Sequence, residues 1–143
     1  MAPPETRESG SLVAGTAPDG AHVLIVDDEL AVLQVLTDML ESQGFSVTAF
    51  RSPIEALQKA KRQRFDALIL DLYMPEMSGL LFHAKLKLLN PELAERTVFV
   101  SGYVSREELR SHLMSSAYYL EKPFKAQDLH VCIHKVLAST PKR

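Results

Sequence analysis

Ala67-Leu68-Ile69-Leu70-Asp71-Leu72-Tyr73-Met74-Pro75-Glu76-Met77-Ser78-Gly79 is the stretch whose reading decides the fold. A short apolar run closed by a Pro- and Gly-marked turn reads as a strand buried on both faces. Asp71 stands where that strand runs out, an odd place for a structural carboxylate. Three other apolar runs end in the same way, at Asp27-Asp28, at Ser101 and at Lys122. Together the four ends supply a nucleophile, metal ligands, a hydroxyl and an ammonium.

Outward from this stretch, strands and helices alternate. Val23-Leu24-Ile25-Val26 is strand one, and Val32, Val35, Leu36, Met39 and Leu40 form the apolar stripe of a helix. Gly44 stops that helix in the position favoured just past a helix end. Residues 45–50, rich in β-branched and aromatic side chains, form strand two. Ser52-Pro53-Ile54-Glu55 is a capping box with Pro at the first helical position, opening a helix to about Gln63. Ser78 caps a third helix reaching about Leu89, which Asn90-Pro91 breaks. Residues 97–100 are strand four, and Ser105-Arg106-Glu107-Glu108 caps a fourth helix. Tyr118-Tyr119-Leu120 is strand five. Leu129, Cys132, Ile133, Val136 and Leu137 form the stripe of a last helix, with Lys125 near its start in place of a good cap.

Five such units with fully apolar strands imply an α/β fold, an open doubly wound five-stranded parallel sheet of the flavodoxin-like (βα)5 type, in strand order 2-1-3-4-5. In such sheets the site lies beyond the carboxyl ends of the strands, where Asp27, Asp28, Asp71, Ser101 and Lys122 all fall. Three carboxylates at one edge call for a cation, and Mg²⁺ accepts one or two carboxylates with waters and a phosphate oxygen. An Asp beside a metal and a Lys is a competent nucleophile towards phosphorus.

Composition sets bounds on the rest. The 143 residues, 46% hydrophobic and 24% charged, are one ordinary globular domain. The net charge of −2 gives no reason to expect nucleic-acid or membrane binding. The single Cys132 excludes an internal disulfide and fits a reducing cytoplasm. No apolar run approaches the ~20 residues of a membrane span, and no signal peptide is evident. Residues 1–20 hold three of the six glycines and three of the eight prolines, which reads as a flexible tail or a linker. The expected organisation is a tail over 1–20, a domain over 21–138 and a short tail over 139–143.

Residues 21–138 resemble the receiver domain of two-component response regulators. The resemblance rests on Val-Asp-Asp-Glu (26–29), Leu-Asp-Leu-Tyr-Met-Pro-Glu-Met-Ser-Gly (70–79), Val-Ser-Gly (100–102) and Leu-Glu-Lys-Pro-Phe (120–124). It implies that Asp71 takes a phosphoryl group from a phosphohistidine on a histidine kinase or histidine phosphotransfer protein. It implies that Mg²⁺ (or Mn²⁺) is held by Asp28, Asp71 and the backbone carbonyl of Tyr73, with Asp27 acting through a bound water. Ser101 and Lys122 would contact the phosphoryl group, and the Lys122-Pro123 bond would be cis. Tyr119 would turn inward and remodel the face of helix four, strand five and helix five, where an output partner or a second copy would bind. Tyr118 would point to the opposite face of the sheet. A phosphoacceptor domain acts only on its own phosphoryl group and is not an enzyme acting on a free substrate.

Tyr73 and Tyr103 flank the reaction centre, either as plain surface tyrosines or as screens that prolong the phosphoryl lifetime. Ser115-Ser116 replaces the Gly-Ala pair frequent in receivers. His130 and His134, four apart, read as exposed or interface residues, and His83 and His112 as surface. Three other functions fit less well. A haloacid-dehalogenase-like phosphatase needs a second Asp where Tyr73 stands. A nucleotide or flavin module needs a glycine-rich loop where Asp27-Asp28-Glu29 stands. A phosphorylation-independent interaction module would have no use for the complete acceptor, metal and lysine set. With only 138–143 beyond the last helix, the expectation is a stand-alone receiver or a piece of a hybrid kinase or longer regulator, without direct DNA binding.

Overall fold

A computed structural model describes residues 20–102 and 118–138. The N-terminal tail, Tyr103, the capping box at Ser105, His112 and Ser115-Ser116 lie outside the described residues. In chain order the elements are β1 (His22–Val26), α1 (Leu30–Ser42), β2 (Ser46–Phe50), α2 (Pro53–Arg62), β3 (Ala67–Asp71), α3 (Gly79–Leu89), α4 (Pro91–Glu95), β4 (Thr97–Ser101), β5 (Tyr118–Glu121) and α5 (Ala126–Ala138). The strands form one parallel sheet in the order β2-β1-β3-β4-β5. The expected fold and strand order are therefore those observed.

Each strand alternates its side chains between two cores, as a period of two requires. Leu24, Val26, Leu68, Leu70 and Phe99 meet α2, α3 and α4 on one face. Val23, Ile25, Ile69, Val98 and Val100 meet α1 and α5 on the other. The central strands β3 and β4 are buried along their whole length, whereas the edge strand β2 is half exposed. Tyr118 and Tyr119 divide as expected, Tyr119 joining the α2–α4 side and Tyr118 the α1–α5 side.

Local chemistry sets the helix ends. Ser52 accepts from the Glu55 amide at 3.2 Å with Pro53 at the first turn, and Ser78 accepts from the Leu81 amide at 3.1 Å. Gly44 closes α1 with a φ of 98°, a left-handed conformation that glycine adopts without a side-chain clash. Three details depart from expectation. The buried stripe of α1 is Leu33, Leu36 and Leu40, and Val35 is 46% exposed, because the helix turns its Leu36 side, rather than its Val35 side, to the sheet. Asn90-Pro91 does more than break α3: the Asn90 side chain accepts from the Leu93 amide and caps the short α4. At α5, Lys125 is not left bare, since the Asp128 carboxylate accepts from its amide at 3.0 Å. Among the described residues no helix is long and apolar enough to cross a membrane.

Candidate functional site

β3 and β4 each run one residue beyond their apolar cores, so Asp71 and Ser101 are the last strand residues of neighbouring strands. Asp27 follows β1 directly, and its amide donates to the Phe50 carbonyl at 3.2 Å. The Lys122 amide donates to the Ser101 carbonyl at 2.8 Å, tying the end of β5 to that of β4. The Lys122-Pro123 peptide is cis. The sheet thus brings Asp27, Asp28, Asp71, Ser101 and Lys122 to one edge.

Backbone contacts hold Asp71 in place. The Leu72 amide donates to the Val100 carbonyl at 3.0 Å, and the Gly79 amide returns to the Leu72 carbonyl at 2.8 Å. The start of α3 presses so closely on this turn that a Cβ on Gly79 would collide with the Asp71 carbonyl oxygen and lie 2.8 Å from Leu72 Cα. Only glycine fits there without moving the acceptor strand. The Tyr73 amide points back to Asp71 Oδ1 at 3.3 Å, while the Tyr73 side chain is 54% exposed.

The electrostatics are unbalanced. Asp27 and Asp71 are buried, and one carboxylate oxygen from each of Asp27, Asp28 and Asp71 can be chosen so that all lie within 4.8 Å. Asp27 Oδ1 accepts from the Glu29 amide at 2.9 Å. Its buried Oδ2 has no hydrogen-bond partner among the described residues, although Lys122 Nζ lies 3.5 Å away as an ion pair. Burial first, then the charge of Asp27, push the Asp71 carboxyl up to about 7. Burial also raises the Asp27 carboxyl, against the opposing pull of the Glu29 amide and Lys122. Burial alone would lower the Lys122 ammonium, but the carboxylates of Asp27, Asp71 and Glu29 outweigh it and raise it.

This donor set fits a hard divalent cation. Its ligands are carboxylate oxygens, one of them is buried without a hydrogen bond, and the cluster carries more negative charge than Lys122 offsets.

One site residue was not legible in advance. Glu29 holds Lys122 Nζ at 3.1 Å, although 93 residues separate them. Glu29 occupies the N-cap of α1, yet its side chain makes no capping bond there. Its signals in the sequence are that it extends Asp27-Asp28 to a third acid and closes the Val-Asp-Asp-Glu run, and neither points to Lys122. The histidines divide differently from expectation. His83 is half-buried rather than on the surface, because its Nε2 bonds the Ala94 carbonyl at 2.8 Å and its ring meets Phe99 edge-on. The His130 and His134 rings meet at a tilt of 46° with centroids 4.3 Å apart, and His130 Nδ1 lies 2.9 Å from Gln43 Oε1. Cys132 is half-buried beside the α1–α5 core.

Comparison with known proteins agrees with this geometry. The family model for the response regulator receiver domain matches residues 23–134. The transcriptional regulatory protein ZraR of Escherichia coli (strain K12) is 31% identical over 123 residues, 85% of this chain and 27% of ZraR. The response regulator protein TodT of Pseudomonas putida is 34% identical over 127 residues, 87% of this chain and 55% of TodT. The chain therefore spans about a quarter to a half of the length of these curated relatives. Among solved structures, the chemotaxis protein CheY4 of Vibrio cholerae superposes with a TM-score of 0.74 at 29% identity, covering 82% of this chain and 99% of CheY4. The receiver domain of the sensor histidine kinase PA1611 of Pseudomonas aeruginosa PAO1, which has a magnesium ion coordinated in its active site cleft, matches with a TM-score of 0.71 at 26% identity. That match covers 84% of this chain and 99% of the other. With the fold, the strand-end residues and the family model in agreement over most of its length, the chain belongs to the response regulator receiver domain family.

Proposed function

We propose that this domain is a phosphoacceptor of a two-component phosphorelay and that Asp71 is the residue phosphorylated. The observation that carries this reading is the surplus of carboxylate at the carboxyl ends of β1 and β3, against which Lys122 is the one ion-pairing cation among the described residues. An Asp71 oxygen attacks the phosphorus of a phosphohistidine on a histidine kinase or phosphotransfer protein. The new P–O bond forms as the P–N bond breaks, and the imidazole nitrogen leaves with the electron pair. Burial and the charge of Asp27 raise the Asp71 carboxyl to about 7, and a bound cation would favour the carboxylate form that attacks.

Asp28, Asp71 and the Tyr73 carbonyl would hold Mg²⁺ directly, and Asp27 through a water. Bound Mg²⁺ would neutralise the carboxylates and one phosphoryl oxygen. Lys122 leaves Glu29 to pair with a second phosphoryl oxygen, and the Ser101 hydroxyl donates to another. The pull on Ser101 draws the loop after β4 inward and Tyr119 follows, which biases the surface containing β5 and α5 towards partner binding. Phosphorylation needs no other wiring to reach that surface. The domain acts in the cytoplasm, and neither DNA nor a membrane is its direct ligand.

The test is incubation with acetyl phosphate and Mg²⁺ followed by intact-mass measurement. One added phosphoryl group, lost in Asp71→Asn and when the metal is chelated, supports the reading. No adduct with or without metal contradicts it and favours an interaction module that keeps only the fold. Tyr73, exposed two residues from Asp71, is proposed to screen against the in-line water, so Tyr73→Asn shortens the phosphoryl lifetime; Tyr103, outside the described residues, is the second candidate and Tyr103→Glu tests it. Unchanged dephosphorylation rates in both variants would return these tyrosines to the plain surface.

A further inference from the structure

Helix α3 carries more apolar surface than its core contact uses. It buries Phe82 and Leu86, while Leu81, Leu88 and Leu89 remain 49%, 86% and 46% exposed. A single exposed leucine is unremarkable, but two consecutive exposed leucines beside a neighbouring apolar helix face form a patch. Leu88 and Leu89 gather at one groove, whereas Leu81 lies outside it. Leu88 faces Ile54 and Leu57 of α2 across an open groove of about 390 Å³, which Met77 also lines. Ile54 is itself 50% exposed. Among the described residues nothing fills this groove.

The groove is basic as well as apolar. Lys61 and Lys85 both line it. Helices α2 and α3 together carry five basic residues, Lys59, Lys61, Arg62, Lys85 and Lys87, against Glu55 alone. The chain as a whole has a net charge of −2, so this flank is a local positive field on a weakly negative molecule. The groove borders the acceptor site, since Met77 belongs to the loop between Asp71 and α3, but it shares no residue with that site.

We propose that the α2–α3 groove docks an amphipathic helix of a partner protein, apolar along one stripe and acidic on its flanks. Two features favour a helix. The groove is a trough between two helices, running two turns along α2 from Ile54 to Lys61, which suits anchors at i, i+3 or i+4 and i+7. Its lysines line the trough beside the apolar residues, where they meet flanking carboxylates of an inserted helix. A lipid surface would ask for an apolar face that projects. This docking surface is separate from the β5 and α5 surface of the proposed switch, so a receiver could be held by one partner and read by another.

The probe is a synthetic amphipathic helix of about 14 residues with leucines at that spacing and glutamates on both flanks. It is titrated into the full chain and followed by backbone amide shifts, beside the same peptide with lysines replacing the glutamates. The expected result is saturable micromolar binding of the acidic peptide, mapped to residues 54–61 and 81–89. Leu88→Ser, at a position too exposed to threaten the fold, weakens it about tenfold. Lys61→Glu combined with Lys85→Glu reverses the preference towards the basic peptide. The proposal is overturned by absent binding, by equal binding of both peptides, or by shifts that map elsewhere. It is also overturned if the peptide displaces residues 1–19 from the groove, if Leu88→Ser dissolves a dimer of the free chain, or if anionic vesicles bind this flank in preference to the peptide.

Discussion

The two ends of the sheet solve opposite problems. At the amino end, Asp66 accepts from the His22 amide at 2.8 Å, and its carbonyl accepts from Arg96 Nε at 2.8 Å. The buried Arg96 also faces Glu92 at 3.8 Å, and Thr97 Oγ1 donates to the Leu93 carbonyl. Charges of opposite sign lie close together there, and among the described residues one nitrogen, Arg96 Nη1, is left without a hydrogen-bond partner. At the carboxyl end, Asp27, Asp28 and Asp71 cluster together, and among the described residues Lys122 is the one cation in ion-pair reach, held by Asp27 and Glu29. The amino end uses its polar groups to fasten strands. The carboxyl end holds uncompensated repulsion, the arrangement by which active sites depart from the most stable solution.

Substitutions at the two ends should therefore separate stability from chemistry. Asp71→Asn removes the nucleophile and is expected to abolish phosphoryl acceptance, while relief of charge repulsion raises stability by about 1 kcal/mol, roughly 4 °C in the melting temperature. Arg96→Met should do the reverse. It releases the β3 and β4 entries and leaves the Asp66 carbonyl without its donor, at a cost of about 2–4 kcal/mol, with acetyl phosphate labelling per folded molecule unchanged. Thermal melts paired with mass measurement check both. A loss of stability in Asp71→Asn would break the contrast.

Gly79→Ala joins the two properties. The added methyl displaces the Asp71–Leu72 backbone, so this variant should lose about 1–3 kcal/mol and label more slowly in the folded fraction. Mg²⁺ offers a further test of stored repulsion. At a concentration about tenfold above its Kd it should add roughly 1.4 kcal/mol of stability, read as a rise in melting temperature that Asp28→Ala loses. No metal-dependent rise in the parent chain would count against the proposed cation site.

The smallest effect concerns pH. Burial lowers the His83 imidazole, with Lys87 adding to it and the Ala94 carbonyl opposing. The unfolded chain then binds the proton more readily than the folded one. His83 supports the fold fully above about pH 6.5, the ordinary value, and loses that support as pH falls through its lowered value. The Asp27 and Asp71 carboxyls, raised in the fold, act in the opposite direction. A melting series of His83→Gln beside the parent isolates the imidazole. The variant should show less acid loss, and an identical profile would remove His83 from this account.

Much of this was legible in the residues because local and global signals coincide. The apolar runs, Gly44, Ser52-Pro53 and Ser78 each state their role through periodicity, φ or a cap, and the structure agrees at each. The convergence of Asp27, Asp28, Asp71 and Lys122 followed from parallel strands alone. What stayed hidden depends on contacts far apart in the chain. Glu29 reaching Lys122 and Arg96 reaching Asp66 have no sequence signature, because neither pairing has a fixed spacing. His83 read as surface for the same reason: its partner, the Ala94 carbonyl, is supplied by the short α4 that Asn90 caps.

The central claim is that the carboxylate cluster at the carboxyl end serves phosphorylation of Asp71. The most direct measurement is reductive trapping with borohydride after treatment with acetyl phosphate and Mg²⁺, followed by peptide mapping. The account predicts homoserine at position 71, with no other aspartate reduced. Reduction at Asp27 or Asp28, or an unaltered peptide across residues 65–85 in a chain that has gained a phosphoryl group, would contradict it.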